Sequence, residues 1–132
     1  MEKDSSRARN GRLVLDAGYA RIEQWLREGR LHRDDGPAYL ETRADGSQSM
    51  GWYRDGKLYR VDGPAWIDLQ SDGTRSERWY LDDAPHRTDG PACVIVRPDG
   101  SRVEEWWIAG HQLKERSFLP TAPAPSGKDS AD

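Results

Sequence analysis

The chain has 132 residues, of which 35% are hydrophobic and 33% charged, and a formal net charge of −3. That length suits one domain, and the lean apolar fraction points away from a globule with a thick core and toward a thin sheet whose side chains lie near the surface. Interspersed charges argue against a nucleic-acid surface, which needs clustered Lys and Arg to displace counterions; Arg7, Arg9 and Arg12 read as a short solvated tail.

In chain order, residues 1–11 are polar and charged and are expected to form a disordered tail. No apolar signal segment is visible there, and no stretch approaches the ~20 apolar residues of a membrane span, so a cytoplasmic location is the expectation. The structured body is expected over 12–118. Leu13-Val14-Leu15, Asp16-Ala17-Gly18 and Ala20 to Leu26 read as a half-unit with a longer turn, capping one end of a sheet.

A strict 27-residue period follows. Trp25, Trp52, Trp79 and Trp106 keep it, as do Gly36, Gly63 and Gly90, and Gly46, Gly73 and Gly100. Arg33, Arg60 and Arg87 are each followed by Asp-Gly-Pro-Ala, beginning at Asp35, Asp62 and Asp89. Such a period marks a stacked array, and a residue that recurs in every unit reads as architecture.

Within the central unit, Trp52-Tyr53 ends a strand that starts near Ser47. Asp55-Gly56 favours a type I′ turn, and Lys57 to Tyr59 is a short return strand. Asp62-Gly63-Pro64 breaks the strand, Pro for lack of an N–H and Gly as the mark of an unusual backbone angle. Ala65 to Gln70 alternates as a second strand, and Asp72-Gly73 is a second turn. The predicted fold is all-β: an elongated single-layer antiparallel meander of eight to nine strands, two per 27 residues. Trp106 begins a partial fourth unit, and residues 119–132 read as a disordered Pro, Ala and Ser-rich tail.

Parity sorts the faces. Ala38, Leu40, Thr42 and their equivalents Ala65, Ile67, Leu69 and Ala92, Val94, Val96 share one face. Tyr39, Glu41, Arg43 and Trp66, Asp68, Gln70 take the other. The invariant Trp series is assigned to the core. The variable aromatic row of Tyr39, Tyr53, Trp66, Tyr80 and Trp107, interleaved with charge, is the candidate protein-binding surface, because aromatic anchors with a polar rim have the composition of one.

His32-Arg33 with Asp35, and His86-Arg87 with Asp89, look like acid–base groups, but they recur by unit and Tyr59 replaces His in the middle one. A structural role fits better: Asp35, Asp62 and Asp89 capping turns, and Arg33, Arg60 and Arg87 pairing with them or lying across a Trp ring. His32 and His86 are two units apart, so no metal site and no cofactor is expected. Cys93 is the single cysteine, which excludes an internal disulfide; in its Val-Ile-Val setting it acts as a small hydrophobe.

The unit W-(L/Y)-x-(D/E)-G-(R/K)-L-(H/Y)-R-x-D-G-P-A resembles the MORN repeat in its bacterial and viral variant form, over about residues 25–115. Its 27 residues exceed the usual MORN length, and the third unit departs with Leu81-Asp82-Asp83-Ala84-Pro85. The resemblance implies hairpins stacked in one sheet and a scaffold or protein-binding role without catalysis. The expected function is a non-enzymatic module that binds another protein, in the manner of a small inhibitor such as an immunity or phage anti-defence protein. A self-associating homo-oligomeric scaffold is the alternative, and an enzyme built on the His-Arg-Asp groups the third reading.

Overall fold

The computed structural model describes residues 9–120, so most of the two expected tails lies outside the described residues. The fold is all-β with almost no helix, its antiparallel strands forming a largely open sheet. Strands β1 (Gly11–Asp16), β2 (Ala20–Arg27) and β3 (Arg30–Leu31) come first. Next are β4 (Tyr39–Arg43), β5 (Gln48–Gly51), β6 (Tyr53–Arg54) and β7 (Lys57–Leu58), then β8 (Trp66–Leu69), β9 (Arg75–Arg78), β10 (Tyr80–Leu81) and β11 (Ala84–Pro85). The last three are β12 (Cys93–Val96), β13 (Arg102–Ile108) and β14 (His111–Phe118). The main sheet runs β1-β2-β4-β5-β8-β9-β12-β13-β14, with β3 paired to β2 off this path. The pairs β6-β7 and β10-β11 form separate two-stranded ribbons.

The segment from Tyr39 to Leu58, like that from Trp66 to Pro85, therefore holds four strands where two per unit were expected. Trp52 and Trp79 fall between the long strands and the ribbons, dividing what reads in sequence as one strand. The ribbons join each other and the flanking hairpins β2-β3 and β13-β14, which extend the same row of ribbons from the main sheet: Gly56 N–H donates to Leu31 O at 2.8 Å, Asp83 N–H to Leu58 O at 3.1 Å and Gly110 N–H to Pro85 O at 2.9 Å.

Two turn chemistries shape each unit. The long strands are joined by three-residue loops closed by Arg43 N–H to Ser47 O, with Gly46 at φ 89°. Asp45 Oδ1 accepts the Ser47 N–H at 2.9 Å, and Asp72–Thr74 and Asp99–Ser101 repeat the bond. A type I turn plus a left-handed glycine has this form. The ribbon turns instead place two consecutive residues at positive φ, as type I′ requires: Glu28-Gly29, Asp55-Gly56, Asp82-Asp83 and Ala109-Gly110. The third unit's departure thus leaves its turn geometry intact, with Asp83 at φ 69° where the others have Gly.

The first hairpin differs from the rest. Ala17 N–H donates to Ala20 O across a two-residue turn with Gly18 at φ 89°, so the expected longer turn is in fact the shorter one. Before it, Gly29 N–H donates to Arg9 O and Glu28 N–H to Asn10 Oδ1, which ties this end to the first ribbon.

The buried residues are small. Ala38, Ala65 and Ala92 are at most 1% exposed and, with Ile67 and Val94, lie on the face that carries the Trp series. On the opposite face Ser47, Ser49, Thr74 and Ser76 are buried beneath larger neighbours. Among the described residues no large side chain is fully buried. The Trp series is therefore not a fully buried core: Trp25, Trp52, Trp79 and Trp106 are only partly buried in this largely open sheet.

Candidate protein-binding face

The register aligns Tyr39, Gly51, Trp66, Arg78, Cys93 and Glu105 in one row across the sheet. The next row holds Glu41, Ser49, Asp68, Ser76, Ile95 and Val103. Large side chains on β4 and β8 flank small ones on β5, so the rings close over the strand between them. Tyr39 and Trp66 stack with centroids 5.9 Å apart and planes at 23°. A Cβ built on Gly51 would lie 2.7 Å from both the Trp66 and Tyr53 rings, so only glycine permits the three aromatics to converge.

A polar chain links the two stacked rings. Tyr39 OH donates to Glu41 Oε1 at 2.7 Å, and Glu41 pairs with Arg43 at 3.1 Å. Arg43 donates to Ser47 and Ser49, Ser49 donates to Asp68 at 2.6 Å, and Trp66 Nε1 donates to the other Asp68 oxygen at 2.8 Å. Burial first, then the bond to the Glu41 carboxylate, pushes the Tyr39 hydroxyl pKa up to about 12. These rings are held in place by the fold itself.

The other two predicted anchors sit one unit on. Tyr80 and Trp107 line a hollow of about 290 Å³ with Arg78, Cys93, Ile95 and Glu105. Trp107 Nε1 donates to Glu105 Oε1 at 2.8 Å, repeating the Trp66–Asp68 arrangement. Burial raises the Cys93 thiol pKa, opposed by Arg78, so this cysteine is a poor nucleophile. All five predicted aromatics thus lie on one face, three around Gly51 and two around Cys93.

The opposite face carries a ladder of cation–ring contacts. The guanidinium carbons of Arg33, Arg60 and Arg87 lie 3.9, 3.9 and 3.8 Å from the ring centroids of Trp25, Trp52 and Trp79. Each Arg also donates Nη1 to the carbonyl of its Pro: Pro37, Pro64 and Pro91. Arg33 and Arg87 bond Asp35 and Asp89, whereas Arg60 makes no such bond to Asp62 among the described residues. At Asp35 and Asp89 the expected pairing with the Arg is present and the expected turn capping is not; Asp62 makes neither bond among the described residues. Gly36, Gly63 and Gly90 have no positive φ, contrary to the sequence expectation; a Cβ there would lie 3.0, 2.6 and 2.9 Å from the guanidinium carbon. The glycines are there for close approach. Lys114, 27 residues after Arg87, was not singled out by sequence; it sits over Trp106 at 4.4 Å although its segment is a strand and not a loop.

The histidines turn away from the Arg–Asp pairs. His32 Nδ1 accepts the Asp55 N–H and His86 Nδ1 the Ala109 N–H, each at 3.0 Å, stitching one ribbon to the next. Where Tyr59 replaces His, Asp83 Oδ1 accepts the Leu58 N–H instead, at 2.7 Å. The clefts between successive ribbons measure about 550 and 560 Å³; Arg33, Trp52, Tyr53 and Arg60 are among the residues lining the first, and Arg60, Trp79, Tyr80 and His86 among those lining the second. Among the described residues no group of three or more His, Cys, Asp or Glu gathers to hold a metal ion, and no helix is long and apolar enough to cross a membrane.

No protein-family model matches the chain, and no curated protein matches it.

Proposed function

We propose that this chain is a non-enzymatic, MORN-like repeat module, its 27-residue units forming an elongated meander, that binds another protein through the face bearing Tyr39, Tyr53, Trp66, Tyr80 and Trp107. The observation that carries the reading is the Tyr39–Trp66 stack over Gly51: aromatic surface already ordered by the fold. Rings whose polar tips are bonded, as at Tyr39, Trp66 and Trp107, with a charged rim beside them are what hot spots are made of. A structural role for Arg33, Arg60 and Arg87 over their Trp rings, and for His32 and His86 bonded to the next unit's backbone, supports the non-enzymatic reading. Small size and a slightly acidic balance suit an inhibitor of another protein.

The test is affinity capture by the tagged full chain from a lysate of its native host. The triple variant Tyr53→Ala, Trp66→Ala, Tyr80→Ala is run beside it, with circular dichroism to verify the fold. A protein retained by the wild type and lost by the folded variant supports the reading. Equal retention by both sinks it.

A further inference from the structure

The main sheet ends in two edges, β1 and β14. Among the described residues β1 pairs only with β2 and β14 only with β13. Nine antiparallel strands lie on this path, so the first and the ninth run in the same direction. An antiparallel joint that leaves both sheets facing the same way is therefore made only between like edges, about a two-fold axis normal to the sheet.

The register of β1 shows what its edge offers. Ala17 N–H bonds Ala20 O across the β1–β2 turn, and Trp25 N–H bonds Ala38 O on the far side of β2. Alternation along the ladder commits the backbone groups of Gly11, Leu13 and Leu15 to β2 and turns those of Arg12, Val14 and Asp16 outward. An axis through Val14 then sets Val14 against itself, Leu13 against Leu15, and Arg12 against Asp16 twice. The segment Arg-Leu-Val-Leu-Asp is a palindrome with complementary charges at its ends. Val14 and Leu15 are 38% and 49% exposed in the single copy. Edge strands commonly carry devices that block such pairing, and β1 has none at its centre. In contrast, β14 presents Lys114, Glu115 and Arg116, and self-pairing centred on any of these sets like charges together.

We propose that β1 is a homodimer interface, occupied by β1 of a second copy in antiparallel register about Val14, so that the two sheets become one. Six outward backbone hydrogen bonds close the joint, three from each copy, and Arg12, which already donates to Glu23 Oε1 at 2.8 Å within its own copy, also faces Asp16 of the second copy across the axis. The axis is normal to the sheet, so both aromatic faces point the same way. The inference stands on β1 alone and does not depend on what the aromatic face binds.

Sedimentation equilibrium of the full chain over a wide concentration range tests it. The wild type is expected to show a monomer–dimer equilibrium. Val14→Pro removes an N–H that the monomer's own ladder does not use, so it is expected to keep the circular dichroism spectrum and weaken dimerisation at least tenfold. Arg12→Asp and Asp16→Arg each set like charges across the axis and, with circular dichroism verifying that the loss of the Arg12–Glu23 bond leaves the fold intact, are expected to be monomeric alone, yet to form heterodimers when mixed. The proposal is overturned by a wild type that stays monomeric throughout, or by a folded Val14→Pro variant that dimerises as well as wild type. If that variant loses its fold, the charge variants decide, and failure of the mixture to recover dimers is equally fatal.

Discussion

Replacing Gly63 with Ala tests the Arg–Trp ladder where it is tightest. The backbone there is not left-handed, so on conformational entropy alone Ala should stabilise by about 0.4–1 kcal/mol. The new Cβ, however, would lie 2.6 Å from the Arg60 guanidinium carbon and 2.8 Å from Nε. Arg60 cannot swing aside freely, being held 3.9 Å over Trp52 with Nη1 bonded to Pro64 O at 2.9 Å. Displacing it forfeits about 0.5–2 kcal/mol of cation–π attraction and about 1.5–3 kcal/mol of a charged hydrogen bond. The net expectation is a loss of about 2 kcal/mol, read by urea unfolding with an unchanged m-value. At Gly36, where the same contact is 3.0 Å, the loss should be smaller. In an Arg60→Ala background the obstacle is gone, and Gly63→Ala should turn stabilising. If Gly63→Ala costs the same with and without Arg60, the close-approach account is refuted.

Asp83 occupies a left-handed position in its ribbon turn and accepts the Leu58 N–H. Asp83→Ala should be less stable than Asp83→Gly by about 1 kcal/mol, since both lose the bond and only Gly relieves the backbone; equal stabilities in urea would show that the turn is not type I′. Tyr39 has a folded pKa of about 12, above the ~10 of an unfolded tyrosine, so its contribution is complete below pH 10 and drains away as pH rises toward 12. Tyr39→Phe should flatten that alkaline decline in thermal melts, and an unchanged slope would contradict the assignment. At the acid end, hydrogen bonds from Ser47, Thr74 and Ser101 hold Asp45, Asp72 and Asp99 below the usual carboxylate range. Their stabilisation is present above about pH 4 and is lost as pH falls through the depressed values, so replacing all three with Ala should shallow the acid transition.

The turns and faces were legible in the sequence because they are local. Asp45-Gly46, Asp72-Gly73 and Asp55-Gly56 carry their own backbone signal, and strand parity put all five candidate aromatics on one face. The role of Gly36, Gly63 and Gly90 was not legible, because it depends on a guanidinium folded back over a ring from three residues earlier. The core assignment of the Trp series failed because parity tells which side a residue takes but not what covers it. Lys114 escaped notice because the motif around it is gone and only its spacing and its place opposite Trp106 survive. At β1, a two-residue turn in place of three shifts the pairing by one position relative to the other units, which no motif announces. The convergence of Tyr39, Tyr53 and Trp66 depended on Gly51 lying between two strands far apart in sequence.

The central claim is that one face of this sheet, and not the other, meets a partner. The most direct measurement is site-specific photo-crosslinking in native lysate, with the photoreactive side chain placed singly at Tyr53 or Tyr80 on the aromatic face and at Arg75 on the Trp face. Arg75 lies opposite Leu69 and Val96 and is exposed, so it reports on the other side of the same sheet. The account predicts one shared heterologous adduct from Tyr53 and Tyr80 and none of that mass from Arg75. An adduct formed from Arg75 but absent at Tyr53 and Tyr80 would contradict it.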